Sequence, residues 1–131
     1  MLLDTSGLLC FLHKAEIHHL QAVRHFSEAS IRLTHNYVLA ELVALSRVRR
    51  FPRQPVLEFI AELHNSSAVQ VVFVDSELHL AALELLRRRL DKTWSLCDAV
   101  SFLLMESQGI HEALTTDHHF EQAGFIRLLQ P

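Results

Sequence analysis

The stretch Val69–Val74, VQVVFV, runs directly into Asp75-Ser76-Glu77, a helix-start signature, and this pairing constrains the fold more than any other feature. An apolar run of that length reads as a strand buried on both faces, which belongs in a parallel sheet covered by helices. The same alternation recurs along the chain. Met1–Leu3 is a short strand ending at Asp4, and Thr5–His13 then reads as a helix that Asp4, Thr5 or Ser6 can cap. Residues 17–29 place Ile17, Leu20, Val23 (or Ala22) and Phe26 on one helical face. Ile31–Thr34 is a second strand, and Tyr37–Arg49 a helix with Val38, Leu42 and Leu45 inward. Pro52 and Pro55 mark a break before helical Val56–Leu63. The helix after Asp75 extends to Leu90, and another covers Ser95–Ser107, stopping before Gly109. Glu112–Thr116 and Phe125–Leu129 read as short edge strands around a helical piece at 118–123.

Strand–helix alternation predicts an α/β fold with a mostly parallel central sheet and helices on both faces. At 131 residues, half of them hydrophobic, the chain reads as one domain, 1–131, able to bury its own core. Three glycines and three prolines are too few for a turn-rich β-sandwich. Cys10 and Cys97 have no metal-knuckle spacing and suit a reducing cytoplasm. The sequence shows no signal-peptide pattern and no apolar run of membrane-spanning length. Its net charge of −3 gives no general nucleic-acid signal.

Four acids stand out against this pattern: Asp4 in LLDTS, Glu41 in NYVLAEL, Asp98 in SLCDAVSF and Asp117 in LTTDHHF. Asp4 and Asp117 follow apolar runs where strands should stop, the edge at which open parallel sheets collect ligands. Glu41 and Asp98 interrupt apolar helical patterns. A buried carboxylate is costly unless paired, protonated or bound to a cation, so the quartet predicts a divalent-metal site. Three of the acids taken singly have a plain reading, Asp4 as a helix cap, Glu41 as a surface ion pair and Asp117 as a turn residue, whereas Asp98, among apolar neighbours, is evenly balanced. Metal binding is the reading that unites all four.

In these settings and this order, the four motifs resemble the PIN-domain family over nearly the whole chain, and within it the VapC-type toxins of toxin–antitoxin pairs. The resemblance implies a three-layer α/β/α sandwich, Mg²⁺ or Mn²⁺ held by Asp4, Glu41, Asp98 and Asp117, and endonucleolytic cleavage of RNA. Ser6 matches the polar residue two after the first acid, and Thr115 the one two before the last, as donors fixing carboxylate rotamers. Asn36 matches the context before the second acid, whereas His35 stands where many relatives carry Thr, and Thr93 where many carry Asp. A small antitoxin that inserts into the active site, and a homodimer formed through helices around residues 37–63, are further implied. A processing nuclease without antitoxin and a non-catalytic module on the same fold are the alternatives. A phosphoacceptor receiver is rejected, because Asp4 is a lone acid and no suitable late Lys exists.

The remaining polar features are less specific. Ten histidines include the pairs His18-His19 and His118-His119, but no zinc spacing. His118 and His119 follow Asp117 directly and are candidates for touching substrate phosphate, with solvated surface as the plain reading. Arg47, Arg49, Arg50 and Arg53, and Arg87, Arg88, Arg89 and Lys92, form two basic clusters. They read either as helix-end charges or as contacts to an RNA backbone. Trp94 and Cys97 read as packed core residues.

Overall fold

The computed structural model describes residues 1–131. The chain runs β1 (Leu2–Leu3), α1 (Thr5–Leu12), α2 (His19–Glu28), β2 (Leu33–His35), α3 (Asn36–Val48), α4 (Arg53–Asn65) and β3 (Gln70–Val72). It continues with α5 (Ser76–Arg88), α6 (Leu96–Gln108), β4 (Glu112–Leu114), α7 (His119–Gln122) and β5 (Ile126–Arg127). All five strands are parallel, in the order β3-β2-β1-β4-β5. Successive strand residues point to opposite faces, so Leu2 and Leu3 seed two separate cores. Leu3 packs with Leu8, Val38, Leu42, Val56 and Phe59 beneath α1, α3 and α4. Leu2 packs with Ala82, Val100, Met105 and Phe120 beneath α5, α6 and α7. The result is the expected three-layer α/β/α sandwich. Each fully buried Leu or Phe contributes roughly 1.5–3 kcal/mol, which is how strands this short stay in place.

Three sequence expectations are corrected. Val69–Val74 does not make an interior strand: only Gln70–Val72 pairs, with β2 alone, at the sheet edge. Phe73 is accordingly 67% exposed. Conversely, β4 is no edge strand, since it pairs with β1 on one side and β5 on the other. Apolar content could not distinguish them, because β4 is three residues long with one exposed charge. The third correction concerns Ile17 and Leu20 on the α2 face. The helix starts at His19, so Ile17 lies outside it and is 91% exposed, and Leu20 also points away. Ala22, the alternative to Val23, is buried, and Phe26 stacks on Phe11 at 4.3 Å, both as expected; His19 Nδ1 lies 2.9 Å from the Cys10 carbonyl.

The strand order places a topological switch at β1. The chain first builds outward through β2 and β3, then crosses back to add β4 on the other side of β1. Ligand sites in open α/β sheets sit at such a switch, outside the carboxyl ends of the flanking strands. Asp4 follows β1 and Thr115–Asp117 follow β4, so both loops open onto that point. Gly7 lets α1 approach β4 closely: a Cβ there would lie 1.8 Å from the Leu114 carbonyl oxygen. Gly7→Ala is therefore expected to cost about 3 kcal/mol, the upper range for overpacking. Denaturant unfolding would measure it, and a loss under about 1 kcal/mol would show that the helix can slide away.

Candidate active site

The structure brings Asp4, Glu41, Asp98 and Asp117 into one cleft of about 390 Å³, which Ser6, Thr116, Arg49 and His118 also line. Each acid arrives from a different element. Asp4 ends β1 at the N-cap position of α1, but its side chain makes no capping bond. Its Oδ2 instead accepts from Thr115 Oγ1 at 2.7 Å, across the sheet. Glu41 lies on α3, one turn before Leu45 and two before Arg49, so the three line the cleft along one helical face. Asp98 sits in the first turn of α6, within a reciprocal capping box. Ser95 Oγ accepts from the Asp98 amide at 3.0 Å, and the Ser95 amide donates to Asp98 Oδ2 at 3.0 Å. The S-x-x-D spacing at Ser95–Asp98 was the available signal for this cap.

Ser6 and Thr115 form the hydroxyl hub behind the acids. Thr115 is fully buried, donates to Asp4 and accepts from the Asp117 amide at 3.0 Å. Ser6 Oγ lies 3.2 Å from Thr115 Oγ1 and accepts from the Thr116 amide at 3.0 Å. Because the Thr115 proton is directed at Asp4, Ser6 is the donor between the two hydroxyls. These contacts fix the Asp4 rotamer and tie the β1 and β4 loops together.

The electrostatics are those of crowded carboxylates, two of them buried. Burial pushes the Asp4 carboxyl up to about 7; the Thr115 hydrogen bond pulls the other way, and Asp98 and Glu41 push up further. Asp98 is raised as well, first by burial and then by Asp117, against the Ser95 amide and His119. The buried Cys97 thiol is pushed far up by burial and by Glu41 beside it, so it is an inert packed group and not a nucleophile. No lysine or arginine pairs with any of the four acids, and Arg49, the guanidinium in the cleft, is held by Glu16 at 2.9 Å. Oxygen donors without a counter-charge fit a hard divalent ion such as Mg²⁺ or Mn²⁺.

Three polar residues have positions that the sequence did not disclose. His119 Nδ1 lies 3.2 Å from Asp98 Oδ2 and 3.3 Å from Asp117 Oδ2, joining two of the acids. His35, fully buried, caps α3 by accepting from the Val38 amide and places Nε2 2.8 Å from Ser101 Oγ on α6. Burial pushes its pKa down to about 4, so this ring is neutral and Nε2–H is the donor. It thereby bolts together the helices that carry Glu41 and Asp98. Asn36 Oδ1 accepts from the Val74 amide at 2.7 Å, anchoring the start of α3 to the strand edge.

The other candidates divide. His118 borders the cleft and is exposed, with Nδ1 3.7 Å from Asp117. Arg47, Arg50 and Arg53 line a separate cavity with Val43 and Phe51, on the α3 face turned away from Glu41. Arg89 pairs with Asp91 and lies over the Trp94 ring. Trp94 is buried against Phe102 and donates to Gln122, a core position rather than a stacking platform. No helix is long and apolar enough to cross a membrane.

Residues 1–126 match the PIN domain profile. Over 126 residues the chain is 32% identical to the 23S rRNA-specific endonuclease VapC20 of Mycobacterium tuberculosis, covering 95% of each protein. The crystal structure of Mycobacterium tuberculosis VapC20, a Sarcin-Ricin loop cleaving toxin, superposes with a TM-score of 0.87 at 30% identity, covering 99% of this chain and 98% of that one. Sheet order, cleft and sequence similarity lead to one conclusion: the chain belongs to the PIN domain family, with VapC-type toxins among its relatives.

Proposed function

We propose that this protein is a Mg²⁺- or Mn²⁺-dependent endoribonuclease, the toxin of a VapBC-type pair, and that its substrate is a structured loop of ribosomal RNA. The observation that carries the reading is the convergence of Asp4, Glu41, Asp98 and Asp117, uncompensated by any lysine or arginine, at the switch point of the sheet. The choice of RNA rests on the relatives, whose names specify 23S rRNA and the Sarcin-Ricin loop. A small antitoxin and a homodimeric assembly complete the proposal by the same likeness, and the cytoplasm is its compartment.

Asp4 and Asp98 would anchor the principal ion, with Asp117 and Glu41 completing the cluster and orienting the attacking water. A bound divalent ion would supply polarisation of the scissile phosphate, a lowered pKa for water and neutralisation of the leaving oxygen. Thr115 and Ser6 hold the Asp4 carboxylate in one rotamer, so little reorganisation is required when substrate arrives. Arg49, exposed at the cleft wall, is placed to exchange Glu16 for an RNA phosphate. Asp98→Asn keeps the capping-box acceptor and removes the charge, so the variant is expected to fold. Its cleavage of ribosomal RNA should fall by about 10²–10³-fold. The measurement is a primer-extension assay on purified ribosomes with Mg²⁺ or Mn²⁺, and undiminished cleavage would refute the assignment. Expression of the wild-type chain should arrest growth, and the same substitution should relieve it.

A further inference from the structure

We propose that His119 is a ligand of the divalent ion through Nδ1, and that this nitrogen tilts the acidic site toward Mn²⁺ over Mg²⁺. The inference rests on the metal-site reading above and deepens it. His119 Nδ1 is a single atom on which two site acids converge, 3.2 Å from Asp98 Oδ2 and 3.3 Å from Asp117 Oδ2. The ring is mostly buried and held from three directions. Its backbone amide donates to Asp117 Oδ1 at 2.9 Å, Nε2 lies 3.3 Å from Thr93 Oγ1, and the His118 ring packs against it at 4.6 Å. Ligand atoms of Asp117, His118 and His119 all lie within 4.8 Å of one another, a spacing that one ion can span.

In the ion-free protein, Nδ1–H donates to Asp98 Oδ2, with Asp117 Oδ2 3.3 Å away, in the place a cation would occupy. With an ion bound, Nε2–H would face Thr93 Oγ1, which is positioned to accept it, and the Nδ1 lone pair would be left to hold the metal. Mg²⁺ prefers oxygen donors and keeps its waters, whereas imidazole suits first-row transition ions. A nitrogen among the carboxylates therefore discriminates against Mg²⁺. His118 is the poorer donor, because its ring is exposed and reaches only Asp117.

The test is pulsed electron paramagnetic resonance on the full-length protein loaded with Mn²⁺. Echo-envelope modulation from a directly bound ¹⁴N is expected in the wild type and in His118→Ala, and should vanish in His119→Asn. Modulation in His118→Ala alone identifies His119, whether or not the His119 variant folds well. The ratio of Mg²⁺ to Mn²⁺ dissociation constants should fall about tenfold in His119→Asn. Asp98-dependent Mn²⁺ binding without ¹⁴N modulation would overturn the ligand assignment and leave the acidic metal site standing. Modulation persisting in His119→Asn would likewise overturn it. Mn²⁺ binding indifferent to Asp98→Asn would overturn both.

Discussion

Asp4→Asn is expected to abolish RNA cleavage and, with metal removed, to make the protein more stable. Both effects come from the same carboxylate. Asp4 is buried beside Asp98 and Glu41, and its pKa in the folded protein is pushed from 3.8 to about 7. The folded chain therefore binds more protons than the unfolded chain between about pH 4 and 7. Stability from this group is full below about pH 4 and is lost as the pH rises through 7. A tenfold change in proton affinity is equivalent to about 1.4 kcal/mol, so at pH 8 the charged side chain costs the metal-free protein up to about 4 kcal/mol. Asparagine keeps an oxygen to accept from Thr115 and carries no charge. Urea unfolding in chelator should then show Asp4→Asn gaining on the wild type between pH 5 and pH 8. Comparing the two proteins at each pH cancels the contribution of other groups. Parallel curves would mean that the carboxylate is solvated after all. A gain in Asp4→Asn is what a site that keeps its function at the expense of stability should show.

Thr115→Val should be the second most damaging change near the site, although the side chain touches no solvent. Valine matches the shape of threonine and removes the hydroxyl that serves Asp4, Asp117 and Ser6 together. Leaving those partners unsatisfied should cost about 3 kcal/mol, at the upper end for a buried polar group. Losing the hydrogen bond that lowers the Asp4 pKa also makes protons stronger competitors for its carboxylate. Affinity for Mn²⁺ at pH 7 should fall by about 10–100-fold. Thr115→Ser, which restores the hydroxyl, should recover most of both losses. Isothermal titration of the two variants measures the effect, and equal affinities for Val and Ser would remove Thr115 from the metal site.

The acids were legible in the sequence because each breaks a pattern. Asp4 and Asp117 stop apolar strands, while Glu41 and Asp98 intrude on apolar helices, and these interruptions are local. The layer architecture was legible for the same reason, since alternating periods are visible in short windows. Pairing order was not. Whether Val69–Val74 or Glu112–Leu114 sits inside the sheet depends on which strands β1 accepts as neighbours, and no window of residues contains that information. Ile17 was misplaced because the α2 helix begins two residues later than its apolar spacing suggests, which takes it out of the helix. His119 was ambiguous for a third reason. A histidine beside an acid in sequence can face either way, and only the turn at Asp117 brings its ring to Asp98 on another helix.

The four acids lie at positions 4, 41, 98 and 117, and no stretch of chain shorter than nearly the whole domain contains them all. A partly folded chain lacking α6 or β4 has at most three of them in place. An ion that requires the full set has little to hold in a folding transition state where those pairings are incomplete. Divalent metal should then leave the rate of folding almost unchanged and slow unfolding, acting as a latch that closes last and opens first.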